Sequence, residues 1–168
     1  MSTPISAPLR HSTGYAHQIK LRSACAQWMA QIAPWAIVVT ITIHNVDPKS
    51  GRPTDIERIR QSIRYLLARI NKACFGHRHK RHGQQVGSLF VVEHGAFGDH
   101  PHVHLTLSVP PHMPQSDFEA LLHSLVRRNS IFRPQHKIGP YTSAGWMGYT
   151  LKSGVDAWDI EGTTIASP

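Results

Sequence analysis

Cysteine is scarce in this chain: Cys25 and Cys74 are the only two among 168 residues, far apart and in no C-x-x-C pair. That argues against a disulfide framework and against a zinc knuckle, and both thiols read as buried groups in a reducing compartment. Long apolar runs are missing as well. The longest, "APWAIVVTITI", is too short and too rich in threonine to span a bilayer, and the amino terminus has no charged-then-apolar signal pattern. A cytoplasmic protein without a membrane partner is expected. Acidic residues are few, 10 Asp and Glu against 18 Lys and Arg, for a formal charge of +8 and a pI near 10.0, with 13 histidines in reserve as pH falls. A polyanionic partner follows, and nucleic acid leads over an acidic membrane surface.

At this length the chain makes about one domain with an ordinary core. Residues 1–14, rich in Ser, Pro and Thr, read as a disordered segment, residues 15–154 as the folded domain, and residues 155–168 as a tail. No internal repeat is visible. A helix is allowed over residues 16–33, before Pro34, and is followed by the β-branched run "WAIVVTITIHN", which places Thr40, Thr42 and His44 on one face and Val39, Ile41 and Ile43 on the other. Thr54 and Glu57 form a capping box for a second helix, with Ile56, Ile59, Ile63, Leu66, Leu67 and Ile70 on one stripe and most of its arginines elsewhere. A basic stretch, "GHRHKRHGQQ", precedes a strand "SLFVVE" ending at Glu93. Later come a capping box at Ser116 and Glu119, an amphipathic helix, a short strand near residues 132–138 and a helical segment "YTSAGWMGYTLKSG". The order αβαββαβα predicts an α+β fold with an antiparallel sheet covered by helices.

The chemistry concentrates in "VVEHGAFGDHPHVHLTLSVP", residues 91–110. In an extended chain His102 and His104 share one face, while Val103, Leu105, Leu107 and Val109 share the other. If the Glu93 strand pairs with the histidine strand through the glycine-bearing turn "HGAFGDHP", two imidazoles and a carboxylate meet as a three-ligand site with open positions, the layout of a catalytic metal centre. Glu93, His102 and His104 are the candidate ligands. His100 has the same parity, but Pro101 disturbs pairing there, which makes it an outer or phosphate contact.

A metal that polarises a phosphate still needs a nucleophile. Tyr149 and Lys152 are three apart, hence expected on one helical face, and Gly145 and Gly148 nearby would let a nucleic-acid backbone approach. Each glycine costs a helix about 1 kcal/mol relative to alanine, which points to a steric need. A neighbouring cation would favour the tyrosine phenolate. Tyr141 stands on the same segment and is the alternative nucleophile.

Together, "VVTITIHN", then Glu93 with "HVHLTL", then "GYTLKS" resemble the three motifs of the HUH endonuclease superfamily, in the order of rolling-circle replication initiators with a single catalytic tyrosine. The resemblance spans about residues 36–153 and is sharpest in the His-hydrophobic-His motif. It implies about five antiparallel strands, on an RRM or ferredoxin-like topology, with the metal face open to single-stranded DNA at a replication origin. It also implies Mg2+ or Mn2+ held by Glu93, His102 and His104, attack by Tyr149 on the scissile phosphate to leave a 5′-phosphotyrosine and a free 3′-hydroxyl, and a phosphate-positioning role for Lys152. Such a protein would initiate replication of a plasmid or single-stranded DNA phage. Without a G-x-x-x-x-G-K-[ST] pattern, unwinding would fall to a host helicase, with a host polymerase extending the 3′ end. Further DNA contacts would come from His77, Arg78, His79, Lys80, Arg81 and His82, from the arginine-bearing helix, and from Thr40 and Thr42.

Other readings use the same residues. A single-tyrosine HUH transposase has a similar histidine motif, and only Lys152 and the preceding strand favour an initiator. A relaxase would place its nucleophile near the amino terminus, where Tyr15 is the sole candidate. A two-histidine phosphoesterase would use "HLTL" at residues 104–107 but needs a second such motif, for which only His11 and Thr13 are available. A non-catalytic RNA-recognition sheet would need stacking aromatics where the strands show His and Thr.

Overall fold

A computed structural model describes residues 12–93 and 100–166, with side chains from residue 16 onward. The turn residues 94–99, most of the segment assigned as disordered, and His11 lie outside the described residues. Five helices and four strands follow in the order α1 (Ser12–Gln31), β1 (Ile37–Ile43), α2 (Ile56–Phe75), α3 (His77–His82), β2 (Ser88–Glu93), β3 (His102–Leu107), α4 (Gln115–Val126), β4 (Phe132–Pro140) and α5 (Gly145–Thr150), with a 3-10 turn at Val155–Ala157. No described helix is long and apolar enough to cross a membrane.

The strands form one antiparallel sheet in the order β2-β3-β1-β4. Two β–α–β crossovers therefore interleave, and β3 and β1 lie at the centre. Register decides which side chains share a face: Glu93 lies opposite His102, Val91 opposite His104, Thr40 opposite His104, Thr42 opposite His102, and Thr40 also opposite Lys137. Directly opposed residues point the same way. One face thus carries Leu89, Val91, Glu93, His102, His104, Thr106, Thr40, Thr42 and Lys137.

The other face is apolar. Ile37, Val39, Ile41, Ile43, Phe90, Val92, Val103 and Leu105 pack there against Ile59, Ile63 and Ile70 of α2 and against Phe118, Leu122 and Val126 of α4, in one buried cluster. The 3.6-residue stripe of α2 makes this possible, and the helix starts at Asp55, whose carboxylate accepts from the Arg58 N–H at 2.8 Å. A second, smaller core covers half of the polar face: Met29 of α1, Trp35, Met147 and Leu151 close over Leu89 and Val91. That explains why β2 and β3 are buried on both sides along most of their length, whereas β1 alternates.

Three expectations are corrected. The sheet has four strands among the described residues, where the resemblance implies five. The outer edge of β2 instead takes isolated bridges, Ser88 to Thr164 and Val91 to Trp158. Between them the ladder breaks because Asp159 turns inward to Arg64 at 3.0 Å and Arg60 at 3.4 Å, and its Oδ1 accepts from the Gly162 N–H at 2.7 Å. Residues 155–166 are accordingly part of the domain, shielding an edge that would otherwise be open to strand pairing. Neither capping box forms as expected: Asp55, not Thr54, caps α2, and α4 begins at Gln115, so that Ser116 lies inside it.

Candidate functional site

The half of the polar face that α1 and α5 leave open is where Glu93, His102 and Thr42 end their strands. Position on β3 separates the two histidines: His104 is buried, 4% exposed, while His102 is half-buried at the rim. His104 Nε2 lies 3.0 Å from Glu93 Oε2, and its Nδ1 lies 3.3 Å from the Thr40 hydroxyl. Burial lowers the His104 pKa more than the Glu93 carboxylate raises it, so the ring is neutral at pH 7. A neutral ring with its proton on Nε2 donates to Glu93 and accepts from Thr40. Burial alone would raise the Glu93 pKa, but hydrogen bonds from His104, Lys152 and Ser153 outweigh it and hold the carboxyl below its ordinary value.

The glycine-bearing helix α5 is seated on this pair. Trp146 donates its indole N–H to Thr106 Oγ1 at 3.1 Å, which anchors the helix to β3. His104 then meets two aromatic rings edge-on, Trp146 at 5.5 Å and Tyr149 at 5.6 Å between centroids. Tyr149 itself is 50% exposed. Lys152 lies beyond the helix, which ends at Thr150, and reaches back through a turn closed by its own N–H to the Tyr149 carbonyl. Its ammonium donates to the Tyr149 hydroxyl at 3.1 Å, stands 3.1 Å from Glu93 Oε1, and lies 4.2 Å from the Tyr149 ring centroid. Those partners raise the Lys152 pKa, the Tyr149 hydroxyl first and Glu93 second, keeping it charged. A continuous chain of polar contacts thus runs from Tyr149 through Lys152 and Glu93 to His104 and Thr40.

Two residues of this chain have no sequence signal of their own. Ser153 Oγ donates to Glu93 Oε1 at 3.0 Å, and Arg22 of α1 donates to the Lys152 carbonyl at 3.0 Å, fastening the turn that carries the lysine. Only the position of Ser153 beside Lys152 hinted at the first; the second joins residues 130 apart.

Other candidates fall elsewhere. Tyr141 follows β4 directly, its N–H on the Ala36 carbonyl at 2.8 Å, and packs into the second core, where burial raises its pKa. That is the wrong direction for a nucleophile, and Tyr141 has no contact with Glu93 or His104. The basic helix α3 leads into Ser88, the far end of β2 from Glu93, so about 17 Å of strand separates it from the site. Its His79 caps the Gln84 carbonyl at 3.0 Å, leaving Arg78, Lys80 and Arg81 without an intramolecular ion pair among the described residues. The arginines of α2 are already engaged: Arg58 with Asp47, Arg60 and Arg64 with Asp159, and Arg69 over the Tyr65 ring at 5.8 Å. His100 is half-buried, and its Nδ1 has no partner among the described residues. Tyr15, the relaxase candidate, lies in the first turn of α1, and its side chain is outside the described set.

Among the described residues no group of three or more His, Cys, Asp or Glu is drawn together closely enough to hold an ion. Yet one carboxylate and two imidazoles suit a divalent cation in type, and register puts His102 directly across from Glu93. His104 Nε2 and Glu93 Oε2 lie 3.0 Å apart, and moving the ring proton to Nδ1, where the Thr40 hydroxyl accepts it, frees Nε2 as a donor. The donor set fits. No protein-family model, no curated protein and no solved structure matches the chain significantly.

Proposed function

We propose that the chain is a metal-dependent, sequence-specific nickase of single-stranded DNA that forms a 5′-phosphotyrosine intermediate through Tyr149 and so initiates rolling-circle replication of a plasmid or phage. One observation carries the reading: Lys152 bridges the Tyr149 hydroxyl and Glu93, each at 3.1 Å, with His104 at the other Glu93 oxygen. A half-exposed tyrosine on a helix is tied by one cation to a carboxylate–histidine pair on the sheet beneath it, an arrangement a merely structural tyrosine does not need. The interleaved strand order agrees with a ferredoxin-like scaffold.

Each residue then has a task. The Lys152 ammonium, donating to the tyrosine oxygen, offsets the negative charge that develops there as the hydroxyl proton leaves to the solvent that reaches this half-exposed residue. The phenolate oxygen attacks phosphorus, the Oη–P bond forms, and the P–O3′ bond breaks, giving a free 3′-hydroxyl once that oxygen takes a proton. Glu93, His102 and His104 would hold Mg2+ or Mn2+, which when bound supplies Lewis acidity at the scissile phosphate. Ser153 holds Glu93, Thr40 accepts from His104 Nδ1–H in the tautomer that leaves Nε2 free to ligate, and Trp146 fixes the helix. The intermediate conserves phosphodiester energy for rejoining, and a host helicase and polymerase would act on the products.

The test is an adduct assay. Purified protein, a pool of single-stranded DNA and Mn2+ should give a denaturation-resistant protein–DNA species, absent in Tyr149→Phe and in EDTA. An adduct that persists in Tyr149→Phe overturns the assignment of the nucleophile; none from the wild type with its own replicon in the pool overturns the activity.

A further inference from the structure

Between α1 and the turn after α5 lies a cleft of about 480 Å3, lined by Gln18, Ile19, Leu21, Arg22, Asp156 and the stretch Lys152–Val155. That is large enough for a small planar ligand. Its walls combine aliphatic and polar side chains. Ile19 and Leu21 are each 43% exposed, and the side chains of Gln18 and Asp156 have no hydrogen-bond or ionic partner among the described residues. Arg22 stands between cleft and site, tied to the Lys152 carbonyl at 3.0 Å, while the other end of Lys152 touches Tyr149.

We infer that this cleft is the specificity pocket for one nucleobase of the cut strand, within a nucleotide or two of the scissile phosphate, and that it selects adenine or cytosine over thymine. The inference rests on the nickase reading for the identity of the strand. Aliphatic walls suit the faces of a base, and the polar pair suits its edge. Adenine and cytosine each present an amino donor beside a ring-nitrogen acceptor: the Asp156 carboxylate accepts from the first, and the Gln18 amide donates to the second. Thymine offers one N–H flanked by two carbonyl oxygens, which a carboxylate repels. Arg22, on the cleft wall and bound to the Lys152 carbonyl, is the cation placed to meet the connecting phosphate.

Two measurements on the full chain decide the matter. In the first, wild type, Gln18→Ala and Asp156→Asn bind short homopolymers of dA, dC and dT in EDTA, read by fluorescence anisotropy, after thermal unfolding confirms that each variant folds. Wild type should prefer dA and dC over dT by roughly tenfold, and Asp156→Asn should erase most of that preference. In the second, adduct rates are measured on the nicked sequence with each flanking base replaced in turn. One position should show the same preference and lose it in the variants. A Tyr149-dependent adduct with wild-type preferences intact in both variants overturns the pocket and leaves the nickase standing. No adduct, with a base preference that Asp156→Asn abolishes, overturns the nickase and leaves the pocket. Equal binding of all three homopolymers by the wild type, with no position-specific preference in the adduct assay, overturns the pocket outright.

Discussion

Lys152 Nζ lies 3.1 Å from the Tyr149 hydroxyl, although the two residues are not on one helix: α5 stops at Thr150, and the lysine returns through a turn that Arg22 fastens. The contact therefore depends on α1, an element with no chemistry in its own sequence pattern. It makes the tyrosine and the lysine separable by mutation, since each is held by a different part of the fold.

Tyr149→Phe should abolish the covalent adduct, while Tyr141→Phe should keep it. The first removes the hydroxyl that Lys152 contacts; the second alters a side chain packed in the smaller core. Denaturing gel analysis after incubation with DNA and Mn2+ reads both outcomes, and an adduct lost in Tyr141→Phe but kept in Tyr149→Phe would reverse the assignment.

Glu93→Gln should slow adduct formation by at least a hundredfold while leaving DNA affinity in EDTA nearly unchanged, because it removes the charge that faces Lys152 and, on the proposed reading, an oxygen that would ligate the metal. Ser153→Ala, which removes only one donor to the same carboxylate, should cost far less, on the order of a few-fold. Single-turnover rates across a Mn2+ titration separate the two, and equal effects would show that Glu93 acts only structurally.

Charge reversal of Arg78, Lys80 and Arg81 together should weaken binding to long single-stranded DNA and flatten its salt dependence, with the rate at saturating DNA unchanged. These side chains sit on α3, at the far end of β2 from Glu93, so on the proposed reading they would contact phosphates other than the reacting one. Anisotropy at several salt concentrations measures the slope; an unchanged slope would confine DNA to the site itself.

Acid should loosen the packing of β4 on α4. Burial lowers the His136 pKa below 6.5, and the nearby His123 and Arg127 add to that shift, outweighing the Pro134 carbonyl that accepts from His136 Nδ1. Its folded pKa is thus depressed, so the contribution is fully present above about pH 6.5 and is lost as pH falls through the lower folded value. His136→Gln should flatten the fall of Tm over this window, and an unaltered Tm profile would remove His136 as a cause.

Gly162→Ala should destabilise the domain by about 1–3 kcal/mol, because a Cβ there would stand 2.2 Å from the Phe90 ring of the main core. Urea unfolding measures the loss, and limited proteolysis should show residues 155–166 released first.

Much of this protein was legible in the order of its residues. Period-two and period-3.6 patterns are local, so the alternation of Thr40 and Thr42 with Ile41 and Ile43, the run ending at Glu93, and the stripe of α2 all predicted their elements, because burying one face is the same requirement at every scale. The pairing of Glu93 with the histidine strand also followed, since so few residues connect the two runs that little choice of partner is left. What tertiary structure alone decided involves residues far apart in the chain. Asp159 belongs to the domain through Arg60 and Arg64, about a hundred residues away, and its inward turn replaces a fifth strand with two bridges. His104 and His102 look alike in sequence, yet α5 buries one and leaves the other at the rim. Arg22 holds Lys152 across 130 residues. Local sequence sets which face a side chain takes, but only the packing of distant elements decides which of those faces is covered, and so which histidine is neutral and which tyrosine has a cation beside it.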